Sequence, residues 1–335
     1  MVKKQNKLKK RTMYYFRCEF AMDAQGNKVK GTLESMVERS WSKLNTTDLR
    51  TFNIGEDSLL VGMQLSKKTA PLSKGDKPCI VLSIGAYEED AAASIINKPS
   101  TSRTEIQSST YAPPVNQEYL DDEAFLCIYD DHILISPAAK LRAGAAIRFL
   151  EKLLHKGGYK RESTLMDAQQ IADMDAIKTI QREGVKNISI NAYAYISSIE
   201  RLKRTNSSHI THLDKLTNWM KSGLDYLRDD DTDADILEKE GLNTRIVISH
   251  DGRASGLHVK DGQKHATDTA KLLASSDACG YTITTRSDKK LTHEDTILKS
   301  NVNVVPHGKS VDRESMWTEL VLCLVNYENQ GVLAK

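Results

Sequence analysis

Two sets of basic side chains in this 335-residue sequence could act on a polyanion. Arg201, Lys203 and Arg204 follow NISINAYAYI, residues 187–196, whose polar face would carry Tyr193 and Tyr195. Arg253, Lys260, Lys264 and Lys271 lie on and just after TRIVISHDGRASGLHVKDG, residues 244–262. Cations beside aromatic rings suit phosphate and sugar contacts, which position a protein on a duplex without reading its sequence. Several such charges facing one groove suffice for binding, because each neutralised phosphate releases counterions. An ordinary solvated face would use the same residues.

Other chemistry is more thinly represented. His209 and His212, three residues apart, could share a helical face as a metal site needs, yet no Cys or Glu nearby completes a ligand set. The block DDDTDADILEKEG, with Asp229, Asp230, Asp231, Asp233, Asp235, Glu238 and Glu240, offers hard oxygen ligands but lacks calcium-loop spacing. Asp130 and Asp131 form an acidic pair that reads as a turn former at a hairpin tip. A metal-dependent nuclease would draw on Asp130, Asp131, Asp229, Asp230 and Asp231 to hold magnesium. Phosphate-binding glycine loops, the G-x-S-x-G nucleophile turn and the H-E-x-x-H zinc motif are all missing from the sequence.

The elements that must position these residues follow from periodicity. MYYFRCEF reads as a strand, and Leu33, Met36, Val37, Trp41 and Leu44 as the inner face of a helix. RTFNIGEDSLLVGMQLSKK gives two strands turning at Gly55-Glu56-Asp57, and CIVLSIGAY another. Residues 94–118, rich in Ser, Thr, Pro and Asn, read as a mobile loop. Phe125–Tyr129 and Ile133–Ile135 form a hairpin around Asp130-Asp131-His132. Ser136 and Pro137 would then cap and open a helix that Gly157 and Gly158 stop.

Residues 166–184 read as helical, and 187–196 as a strand with Ile188, Ile190, Ala192, Ala194 and Ile196 on its dry face. A helix around Leu213, Leu216, Met220 and Leu224 precedes the acidic block. A second hairpin turning at Asp251-Gly252 then feeds a helix containing Ala266, Ala270, Leu272 and Leu273. YTITTR is a strand, Thr292 with Asp295 marks a short helix, VNVV is a strand, and a final helix carries Met316, Trp317, Leu320, Val321, Leu324 and Val325 as an apolar stripe. The result is an α+β fold of mainly antiparallel sheets with helices on one side.

Composition narrows the class. Cys18, Cys79, Cys127, Cys279 and Cys323 show no paired spacing, which fits reduced thiols in a cytosolic protein. No apolar run reaches the length of a membrane span, and MVKKQNKLKKRT lacks the apolar core of a signal peptide. Net charge is only +2, so charge distribution informs more than the total.

Three segments carry a resemblance to a known family: AFLCIYDDHILISPAAKLRAGAAIRFLEKLL, MDAIKTIQREGVKNISINAYAYI, and the end of the chain from Tyr281 to Tyr327. In their order they resemble RexA-like phage-exclusion proteins and, more distantly, the Kiwa defence protein KwaB. This resemblance implies a non-enzymatic protein that binds double-stranded DNA with little sequence preference, works as a homodimer, and cooperates with a membrane protein of the same system. It also implies an inserted mobile domain that moves against a globular body. The family's basic segment after its late hairpin matches LHVKDGQKH, pointing to Lys260 and Lys264.

The expectation is therefore a cytoplasmic sensor of infecting DNA, recruited to the inner face of the membrane by its partner, with no cofactor. Its parts would be a basic tail over 1–12, a globular body over 13–180, a DNA-contacting insert over 181–275 and a return to the body over 276–335. Arg201, Lys203, Arg204, Arg253, Lys260 and Lys264 would carry the DNA. The alternatives are the metal-dependent nuclease and a scaffold that binds only protein through its final helix.

Overall fold

The computed structural model describes residues 7–20, 29–53, 58–96, 98, 101, 105, 108–160, 164, 166–170, 172–192, 194–196, 198–199, 216–218, 222, 244–249, 259–274 and 280–333. The chain forms two compact units. One comprises Met1–Tyr14, Met22–Thr164 and Ser300–Lys335, and the other Tyr15–Ala21 and Leu165–Lys299. The expected insert over 181–275 lies within the second. The α+β class with mainly antiparallel sheets holds.

In the first unit the strands are β1 (Lys9–Phe20), β2 (Thr51–Asn53), β3 (Leu59–Leu72), β4 (Gly75–Tyr87), β7 (Asp122–Tyr129), β8 (His132–Ser136) and β14 (Lys299–Val304). They lie in the order β14-β1-β8-β7-β4-β3-β2. β1 starts at Lys9, so the last four residues of the expected 1–12 tail are strand. Its second half, from Tyr15, belongs to the other unit.

β4, β7 and β8 are buried residue after residue: Cys79 through Ala86, Glu123 through Ile128, and all of His132–Ser136. A strand with no wet face needs cover on both sides, so helices flank both faces rather than the expected one. Helix α1 (Leu33–Lys43) and α2 (Ala143–Lys156) take one side, where a Cβ on Gly62 would strike Trp41 and Phe149. The last helix, α6 (Arg313–Asn329), takes the other, where Lys68 meets Glu314 and lies over the Trp317 ring. Register separates the faces. Gly62 pairs with Ile84 and Lys68 with Cys79, five residues apart on β4, and an odd spacing on a strand changes face. Met316, Trp317, Leu320 and Leu324 are fully buried, so the apolar stripe of α6 is core.

The hairpin turns where the sequence puts it, with Asp130 at φ +50 and Tyr129 opposite His132. Its acids cap a helix. The Asp131 carboxylate accepts the N–H of Leu33 at 2.8 Å, the Asp130 carbonyl accepts that of Glu34 at 2.9 Å, and the Glu34 carboxylate accepts the N–H of Asp130 at 2.9 Å. Three backbone groups that would otherwise lack partners are thus satisfied at the α1 N-terminus and the hairpin tip. Ser136 does not cap the next helix. It pairs with Phe125 as the last residue of β8, and α2 begins only after Arg142, ending at Gly157 as expected. Residues 93–111 are not purely loop, since β5 (Ala93–Ile96) and β6 (Ser108–Tyr111) pair as a short exposed ribbon. A second small hairpin, β15 (Pro306–His307) with β16 (Ser310–Val311), precedes α6.

In the second unit, β9 (Met166–Gln170) pairs antiparallel with the second half of β1, Phe16 opposite Gln170. The expected helix over 166–184 is therefore confined to α3 (Met174–Glu183), capped by Asp173, whose carboxylate accepts the Asp175 N–H at 2.9 Å. A four-stranded sheet runs β11-β10-β12-β13, with β10 (Val185–Asn191), β11 (Arg245–Ser249), β12 (Tyr281–Thr285) and β13 (Lys290–Thr292). Helix α4 (Val259–Ala274) packs on α3 and β10 through buried Ala266, Ala270, Leu273 and Ala274. The short helix α5 (His293–Thr296) has the capping box read at Thr292 and Asp295. Among the described residues, no helix is long and apolar enough to cross a membrane.

The trans-cap at α1 yields a prediction. Asp131→Ala should lower unfolding free energy by about 1–2 kcal/mol in urea titrations, as loss of a capping acceptor does, whereas Asp131→Asn, which keeps an acceptor oxygen, should lose less. Equal stability of Asp131→Ala and the parent chain would contradict the capping role.

Candidate functional site

A groove of about 460 Å³ opens on the second unit between the end of α3, one side of α4 and the turn after β12. Gln181, Arg182, Glu183 and Gly184 come from the first, Gln263, Lys264, Thr267, Asp268 and Lys271 from the second, and Arg286 from the third. On α4, Lys264 and Lys271 are seven residues apart, two turns, so they share the side that faces the groove. The buried side of α4 holds the helix against the sheet, and its basic side is left to solvent.

Gly184 makes the groove possible. It ends α3 at φ +72, a conformation that L side chains rarely adopt, and sends the chain into β10. Its carbonyl accepts the backbone N–H of Arg286 at 3.2 Å, and a Cβ at this position would already touch Arg286 Cδ at 3.4 Å. The β10–β12 register, Val185 opposite Thr285, brings the two segments together.

The charges are unequal. Four cations (Arg182, Lys264, Lys271, Arg286) share the groove with two carboxylates, and both carboxylates are engaged. Glu183 accepts the Ser287 hydroxyl and bonds Arg182 Nη2 at 3.2 Å, while Asp268 lies 3.6 Å from Lys271. Hydrogen bonds from Ser287 and Thr285, aided by Arg182, hold the Glu183 carboxyl down at about 2. Lys264 and Arg286 are exposed and form no salt bridge among the described residues. Among the described residues the groove therefore carries two cations beyond its two ion pairs.

Of the six expected DNA-binding residues, Lys264 lines this groove. Lys260 stands in the first turn of α4, one turn before Lys264, because the helix already begins at Val259 where the second arm of a hairpin was expected. β11 pairs instead with β10. Arg201, Lys203, Arg204 and Arg253 lie outside the described residues, as do His209, His212 and the acidic block 229–240.

The strand expected over 187–196 ends at Asn191, whose side-chain oxygen accepts the Ala194 N–H at 3.1 Å and caps a helical turn. Tyr195, expected on a wet face beside the basic cluster, is fully buried in the core with Ile188 and Ile190. Arg182 and Arg286 went unrecognised in the sequence. Each is a single basic residue at the end of an element, and only strand pairing unites them.

Among the described residues, no three His, Cys, Asp or Glu side chains converge as a metal ion would need. Of Asp130 and Asp131, candidate magnesium ligands in the nuclease reading, Asp131 gives its carboxylate to the α1 cap and Asp130 its backbone carbonyl. Compared with known proteins, the chain matches no family model and no curated sequence.

The Glu183 anchor has a pH signature. Its native value of about 2 lies below its ordinary 4.5, so its contribution to stability is complete above about pH 4.5 and disappears as pH falls through about 2. Urea midpoints of the parent and Glu183→Gln should differ by a constant amount near neutrality and converge toward pH 2. A difference that persists undiminished at pH 2 would contradict the assignment.

Proposed function

We propose that the chain binds double-stranded DNA without sequence preference and serves as the sensing component of a phage-exclusion system. The observation that carries this reading is the groove of the second unit, where Arg182 and Lys271 pair with Glu183 and Asp268 while Lys264 and Arg286 are exposed with no salt bridge among the described residues. Such a surface attracts a phosphate backbone through counterion release. Contacts of this kind go to the phosphate backbone, which is the same at every sequence, so the proposed affinity is independent of sequence.

Lys264 lines this groove, and Lys260, one turn earlier on α4, belongs to the same proposed interface by its place in the helix. Arg201, Lys203, Arg204 and Arg253 belong to the same proposed interface by their sequence neighbourhood. The resemblance to phage-exclusion proteins supplies the biological setting: a homodimer, acting in the cytoplasm without catalysis, whose DNA-bound arrangement is read by a membrane protein of the same system. DNA would drive that signal by favouring one domain arrangement, since a ligand shifts conformations only through its differential affinity for them.

The test is a salt series on groove variants. The slope of log affinity against log salt should flatten by about 0.9 for each phosphate contact removed, so Lys264→Ala with Arg286→Ala should flatten it by about 1.8 while weakening binding to every duplex equally. A slope and affinity identical to those of the parent chain would place the DNA elsewhere.

A further inference from the structure

The first unit carries a second cleft, larger than the groove, at about 590 Å³. The start of β1 gives it Lys9 and Arg11, the segment entering β7 gives Leu120 to Glu123, the β15–β16 hairpin gives His307 to Val311, and the start of α6 gives Asp312 and Arg313. Its volume falls in the range of roughly 300–1,000 Å³ typical of small-molecule sites. Nothing in the reading of the second unit uses it.

The cleft looks electrically mixed until each acid is followed to its partner. Glu123, nearly fully buried, accepts Arg313 Nε at 2.6 Å and the Ser310 hydroxyl at 2.9 Å. Asp122 accepts the backbone N–H of Lys140, and Asp121 pairs with the Lys140 ammonium at 3.0 Å. Asp312 caps α6 by accepting the Ser315 N–H at 2.8 Å. All four carboxylates are therefore engaged in holding the walls together.

The cations are not equally engaged. Arg313 is used up by Glu123, Gln64 and Met63. Arg11 donates from its two terminal nitrogens to the carbonyls of Pro137 and Glu123, at 3.2 Å each, and the Asp122 and Glu123 carboxylates act on its charge through space. Lys9 donates to the Lys309 carbonyl. Lys9, Lys309 and His307 are exposed and form no salt bridge among the described residues. Lys309 sits at the tip of a two-residue turn whose Gly308 has φ +54, which places its ammonium at the rim of the cleft.

From this bookkeeping we infer that the cleft binds a small phosphorylated ligand, a compact molecule with one or two phosphate groups held between Lys9, Arg11 and Lys309. Of the four carboxylates, Glu123 and Asp121 are paired with the cations Arg313 and Lys140, and Asp122 and Asp312 hold backbone N–H groups, so Lys9, Arg11 and Lys309 outnumber the two acids that lack a cation partner among the described residues. An anion finds two ammonium groups, Lys9 and Lys309, with no salt bridge among the described residues, beside the Arg11 guanidinium in a concave site, where desolvation strengthens charge-assisted hydrogen bonds.

The test is isothermal titration of the full chain with inorganic pyrophosphate at low salt. Saturable binding is expected, weakened at least tenfold in both Lys309→Glu and Lys9→Glu, with melting temperatures close to the parent's, and unchanged in Lys264→Glu. No binding by the parent would overturn the inference, as would affinity that survives both first-unit changes. Loss confined to Lys264→Glu would also overturn it, because the pyrophosphate would then occupy the second-unit groove.

Discussion

The groove of the second unit depends on one backbone contact, the hydrogen bond from the Arg286 N–H to the Gly184 carbonyl. That bond joins Gly184, which ends α3 at positive φ and leads into β10, to the turn after β12. Glu183 reinforces the junction by holding Ser287, and Lys186 reinforces it from the next strand by pairing with Asp288. The neighbouring carboxylates are thereby committed to structure. Positive charge accumulates at the groove because four cations line it against two carboxylates, each already paired with one of the four.

The first unit uses acids in the same manner. Asp131 and Glu34 tie the β7–β8 hairpin to α1, and Glu123 ties β7 to the start of α6. Arg50, buried under the Trp41 ring at 4.3 Å and donating to the carbonyls of Leu44 and Gly62, closes the end of the same helix onto β3. Burial of that guanidinium lowers its pKa, and the carbonyls and ring face offset part of the desolvation cost. Polar side chains at element ends thus connect an apolar sheet whose interior contains few polar atoms.

Much of this was legible in the sequence where local signals agreed. The Asp130-Asp131 turn between two apolar runs, the inner face of α1, the Thr292 capping box and the stripe of α6 all reappear, because each is fixed by neighbours in the chain. Segments decided by distant partners were misread. MDAQQ has no strand pattern of its own and becomes β9 by pairing with β1. The alternation of 187–196 runs on past Asn191, but the Asn191 side chain caps a helical turn and overrides it. Ser136 beside Pro137 mimics a helix start, yet the ladder with Phe125 claims it as strand. The candidate site was legible only at Lys264 and Lys271, since the convergence of Arg182 and Arg286 on them is a product of sheet register.

The two clefts have different physical character: a shallow groove open along a helix, suited to an extended polyanion, and a concave site walled by paired carboxylates. The central claim concerns the first. Its most direct test is a titration of the purified chain against several unrelated DNA duplexes with magnesium present, following both binding and DNA integrity across a range of salt. The account predicts similar affinities for all sequences, a steep fall in affinity with salt, and intact DNA throughout. Affinity restricted to one sequence, binding indifferent to salt, or cleavage that stops on chelation would contradict it.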